Sequence, residues 1–358
     1  MDAIGIKGLG LDVDVPRQAV GIRAADASPV HPPFTPWTEG VRPPTGPLTP
    51  TRERHLVAAG RQAGAGMRRE RMDAFGAGAL VALSALLAFN QVVIVWVNEG
   101  LQPVFFAGLR SALAAVFVLA WLRLRGRPLH VAPGTAGAGV VMGVMFAAEF
   151  MLLFLALDLT TVGRTAVIFY SMPVWLALMA HWGLPGERLT RLRFAGLCMA
   201  FAGTALAILD GRGDAAGGSL AGDLCALGAA LGWAGTAFVA RRPAMRAVAP
   251  EVQLLWMVAV SAPILLLAAP AFGALLRDLV PSHLGWLVFQ AGVVVAGGFA
   301  AWLWLLSVYP AAAVASFAFL TPVLSVAFGA LVLGEAVTPG LAAALVLVGL
   351  GLALVNRR

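Results

Sequence analysis

The chain has 358 residues, 60% of them hydrophobic and only 12% charged, with a net charge of +7 and a mean hydropathy of +0.86. Soluble domains are about half apolar and about a quarter charged, so a soluble fold is excluded and an all-α polytopic membrane protein is expected. The excess of arginine lies between apolar runs, with no basic stripe interleaved with aromatics, which argues against nucleic acid as a partner and for orientation in a bilayer.

Residues 1 to 72 are polar and proline-rich, as in VHPPFTPW, and read as a disordered tail. Asp12 and Asp14 interrupt the only early apolar stretch, so no secretory signal is expected. From Ala74 onward ten runs are long enough to cross a hydrocarbon core as helices: 75 to 97, 101 to 122, 134 to 157, 163 to 184, 194 to 210, 219 to 240, 251 to 272, 283 to 307, 311 to 333 and 337 to 355. Cys198 and Cys225 fall inside these runs and read as packing residues rather than a disulfide or metal site.

Arginines mark alternate connections: Arg68, Arg69 and Arg71, then Arg123, Arg125 and Arg127, then Arg188, Arg191 and Arg193, then Arg241, Arg242 and Arg246, and finally Arg357 and Arg358. Only Arg164, Arg212 and Arg277 fall on the other side, so both termini are expected in the cytoplasm of a cell-membrane protein. The chain also repeats itself, with Pro173, Glu187 and Thr190 matching Pro322, Glu335 and Thr338. An odd number of spans per copy makes the two copies face opposite ways, which gives two inverted five-helix repeats over residues 73 to 211 and 219 to 356. The charges agree, because the connection after Pro173 holds three arginines and its twin after Pro322 holds none.

The segments FNQVVIVWVNEGLQPVFFAGLRSALAAVF, GDLCALGAALGWAGTAFVARR and FLTPVLSVAFGALVLGEAVTPG resemble the ten-helix branch of the drug/metabolite transporter superfamily with two EamA domains. The resemblance covers residues 74 to 356. It implies a secondary transporter, often an exporter of amino acids or other small metabolites, with a central cavity between the halves.

Within that frame Glu149 is the first functional candidate, because a charge at the centre of a bilayer costs roughly 3 kcal/mol on insertion scales and is rarely kept without a task. Counting 1.5 Å per residue puts Arg110 about 13 Å and Glu149 about 12 Å below the outer end, at one depth, as a candidate ion pair that exchanges a proton for substrate. Asn90, Gln91, Tyr170, Ser171 and Gln290 are the uncharged polar side chains expected to converge with them, and Trp233, Trp302 and Trp304 offer an aromatic wall or an interfacial belt. Pro173 and Pro322 interrupt their helices in matching places and are candidate hinges. Gly139 with Gly143, and Gly228 with Gly232, have the spacing of close helix contacts. His181 and the pair Glu187 and Glu335 read as helix-end residues.

The expected partners are a small-molecule substrate, protons and the lipid bilayer, with the chain a monomer or homodimer and no cofactor, metal or catalytic residue. A passive channel or scramblase on the same fold is the alternative. An intramembrane hydrolase has one scrap of support, since Gly211, Arg212, Gly213 and Asp214 spell the motif of intramembrane aspartyl proteases. That chemistry needs two aspartates sharing a proton inside the membrane, and Asp214 stands in a loop.

Overall fold

The computed structural model describes residues 72–126, 134–184, 189–210, 218–246, 248–309, 314, 317 and 319–356. The expected tail therefore falls almost wholly outside the described residues, as do Glu187, Arg212 and Asp214. Every named element is helical: α1 Ala74–Gly100, α2 Pro103–Leu124, α3 Ala136–Leu159, α4 Val162–Phe169, α5 Met172–Gly183, α6 Arg191–Asp210 and α7 Leu220–Ala240. The order continues with α8 Pro250–Ala268, α9 Pro281–Phe289, a π-helical stretch Gln290–Gly297, α10 Gly298–Val308, α11 Leu320–Leu333 and α12 Pro339–Asn356. Among the described residues eight helical stretches are long and apolar enough to cross a membrane, and Leu320–Leu333 and Pro339–Val355 are shorter apolar helices. The chain is a polytopic membrane protein.

Local chemistry sets the helix ends. Asp73, Gln102, Thr161 and Ser219 accept from backbone N–H groups in the first turns of α1, α2, α4 and α7. Gly334, at φ +70°, ends α11 in the left-handed conformation that only glycine adopts without strain. The fourth expected span is not one regular helix, because α4 stops at Phe169 and α5 restarts at Met172 with Pro173 in its first turn. A proline has no N–H to return to the preceding turn, so the ladder breaks just before it. Pro322 takes the corresponding place in the first turn of α11.

Helix α3 sits where α7 and α8 converge. A Cβ on Gly139 would meet the Trp256 ring at 2.6 Å, one on Gly143 would meet Val260 at 2.4 Å, and one on Gly232 of α7 would lie 2.9 Å from the Glu149 Cα. The glycines thus let three backbones approach, as their spacing suggests. We expect Gly232→Val to push α7 off α3 and destabilise the fold by about 1–3 kcal/mol, the range for overpacking a filled site. Thermal unfolding in detergent checks this; an unchanged midpoint would contradict the close contact.

Candidate functional site

A cavity of about 530 Å³ opens between α1, α3, α7, α8 and the π-helical and α10 part of the chain. Asn90 of α1 and Glu149 of α3 line it, together with Thr236 of α7 and Gln253 of α8. Its aromatic walls are Phe146, Phe150, Trp233, Phe299 and Trp302. It extends to Ala240 and the exposed Pro250, which flank the connection carrying Arg241, Arg242 and Arg246. Pockets of this size and lining, mostly apolar with a few polar groups, are the usual form of a small-molecule site.

Glu149 is buried at 3% exposure, and its Oε2 has no hydrogen-bond partner. Asn90 Oδ1 is likewise buried and unpaired. Gln290, fully buried, donates to the Asn90 carbonyl oxygen at 3.4 Å and so stands one bond behind the lining. Gln91 follows Asn90 on α1, and a step of about 100° per residue turns its side chain away. Ser171 accepts from the indole N–H of Trp175 at 3.2 Å, and neither Ser171 nor Tyr170 lines the cavity.

Arg110 makes no direct ion pair with Glu149. Among the described residues the ion pairs are Arg164 with Asp223 and Arg277 with Asp158. The Arg110 guanidinium instead lies 3.8 Å from the centroid of the Phe150 ring and 5.1 Å from that of Phe154, with its Nε unpaired. The aromatic face supplies part of what a carboxylate would. Trp233 and Trp302 line the cavity, whereas Trp304 is exposed on the far side, edge-on to Phe75.

The end of the bundle opposite Pro250 is closed by contacts that the spacing of the sequence did not reveal. Arg277, in the connection between α8 and α9, grips Asp158 at 2.7 and 3.0 Å and the Asn98 carbonyl oxygen at 2.8 Å. The hydrogen bonds to Asp158 hold its guanidinium above the usual arginine range. Beside it Leu101 and Leu276 pair by their backbones. Arg164 and Asp223, in the first turns of α4 and α7, form a buried pair to which Thr160 adds a hydrogen bond at 3.2 Å.

Glu335, in the connection between α11 and α12, accepts from the Val162 and Gly163 N–H groups at 2.7 and 3.0 Å and caps α4. Burial raises its carboxyl above the usual glutamate range, and the backbone bonds from Gly163 and Val162 offset only part of that. A raised acid favours the folded state while protonated, so its contribution is present below pH 4.5 and is lost as pH rises through the folded value. Melting profiles should therefore show wild type losing midpoint relative to Glu335→Gln as pH rises from 4.5. Parallel profiles would contradict this. His181 accepts from the Leu189 N–H at 3.2 Å, a role at the end of α5 rather than in the cavity.

The sequence matches the EamA-like transporter family twice, over residues 74–209 and 220–357. Two Bacillus subtilis (strain 168) proteins are similar along most of their lengths. The uncharacterized transporter YvbV is 28% identical over 298 residues, covering 76% of this chain and 91% of its own. The uncharacterized transporter YoaV is 23% identical over 261 residues, covering 72% of this chain and 89% of its own. A solved crystal structure shares the fold at a TM-score of 0.55 and 22% identity, covering 77% of this chain and 95% of its own. With both halves of a helical membrane bundle matched, and a polar-tipped aromatic cavity between them, the chain belongs to the EamA-like transporter family.

Proposed function

We propose that the protein is a secondary transporter that takes a small amphipathic molecule from the cytoplasm into the Glu149 cavity and releases it outside in exchange for protons. The observation that carries this reading is buried Glu149, whose Oε2 has no hydrogen-bond partner, in the wall of a cavity that extends toward the arginine-bearing end. A group kept unpaired inside a membrane costs stability, which a working role in binding and proton release accounts for. Entry of a cationic ligand beside protonated Glu149 would send that proton to the cytoplasm. Protonation from outside would later displace the ligand, so charge balances in each half of the cycle.

The two halves rock as inverted five-helix repeats about the cavity, with Pro173 and Pro322 as hinges at the matched helix starts. Arg110 tunes Glu149 from across Phe150, and Gln290 steadies Asn90. Gln91, Tyr170 and Ser171 meet the substrate only once the bundle rearranges. In this reading the contacts of Arg277 and Glu335 latch the extracellular end shut in the inward-facing state.

Sidedness tests the proposal. In a chain whose Cys198 and Cys225 are replaced by serine, Glu335→Cys should react with a membrane-impermeant maleimide from outside. Arg125→Cys and Gln253→Cys should react only from the cytoplasmic side. The reverse pattern would overturn the orientation and the inward-facing assignment together.

A further inference from the structure

We infer that the cavity selects an organic ammonium ion with an aromatic or branched apolar body, and discriminates against zwitterionic amino acids. This rests on the transporter reading, since it names the ligand of the same cavity. The polar lining is weighted toward acceptors, with the Asn90 amide nitrogen and the Trp233 and Trp302 indoles as its donors. Glu149 Oε2 and Asn90 Oδ1 are buried without partners. Thr236 has already donated its hydroxyl hydrogen to the Gly232 carbonyl oxygen at 3.1 Å, so only its lone pairs face a ligand. Gln253 has committed its amide nitrogen to the carbonyl oxygens of Met245 and Val248 at 2.9 and 3.0 Å, which leaves its Oε1 as the available end.

An ammonium group brings three donors and a positive charge to these acceptors, and a charge-assisted bond to a carboxylate is among the stronger polar contacts. The aromatic walls add ring faces that attract cations. A ligand carboxylate finds the opposite. Among the described residues no Lys, Arg or His lines the cavity, and Arg110, covered by the Phe150 ring, is not one of the lining residues. Desolvating a carboxylate there without a cationic partner is penalised by its lost hydration.

The test uses four probes that share one aromatic body: phenethylamine, N-acetylphenethylamine, phenylalanine and 3-phenylpropionate. Calorimetric binding to the purified full-length chain in nanodiscs should show phenethylamine at least about tenfold tighter than each of the others. Glu149→Gln should weaken phenethylamine by about tenfold or more and leave the weak N-acetyl probe unchanged, while Glu149→Asp, which keeps the charge, should retain the preference. Unchanged binding of the N-acetyl probe reports that the variant is folded. Phenylalanine or phenylpropionate binding as tightly as the amine, no amine binding at all, or amine affinity indifferent to Glu149→Gln would each overturn the inference. Its failure is distinguishable from that of the transporter reading. Amine binding without flux in proteoliposomes contradicts transport alone, and phenylalanine flux without amine binding contradicts selectivity alone.

Discussion

Glu149→Gln is expected to abolish accumulation driven by a pH gradient, reducing it to the level of protein-free liposomes. Glutamine keeps the size and hydrogen-bonding capacity of the side chain but neither ionises nor releases a proton, so the link between ligand and proton is cut while α3 keeps its packing on Gly232. Exchange of ligand down its own gradient can persist in this variant. Reconstitution with matched wild-type and variant protein, followed by uptake into acid-loaded liposomes, makes the comparison. Normal accumulation by Glu149→Gln would leave Glu149 a structural residue and remove the coupling role.

The second large effect is on stability. Arg164→Met should destabilise the protein by about 3–5 kcal/mol, because Asp223, at 1% exposure, would be left as a buried carboxylate without its partner. Adding Asp223→Leu should recover most of the loss, since an apolar pair of similar volume leaves no stranded charge. Thermal midpoints and detergent-extracted yield of the two variants report this. A single mutant as stable as wild type, or a double mutant no better than the single, would show that the pair does not hold the closed end of the bundle.

Much of this arrangement can be read from residue types and spacing. The apolar runs announce the helices, and the Gly139, Gly143, Gly228 and Gly232 spacings announce the contacts around α3. Glu149 stands out because a bilayer makes its charge expensive. Depth along a helix also follows from counting residues, which is why Arg110 and Glu149 were expected together. Direction around the helix does not follow, and Phe150 takes the guanidinium instead.

In the sequence Arg164 counts with a connection, and Asp223, a few residues inside the run 219 to 240, carries no signal. Only the juxtaposition of α4 with α7 shows them to be partners. Thr236 and Gln253 carried no signal either. Isolated polar residues in apolar runs are usually interhelical glue, and their acceptor role appears only once their donors are seen bonded to backbone carbonyls.

Proton-coupled export is put at risk by uptake of radiolabelled phenethylamine and phenylalanine into proteoliposomes with an acidic lumen, measured against protein-free liposomes to subtract weak-base trapping. The wild-type protein should accumulate phenethylamine uphill, and the accumulation should collapse when an ionophore dissipates the pH gradient. A flux that only equilibrates either probe, at a rate indifferent to the pH gradient, would contradict it and identify a passive pore.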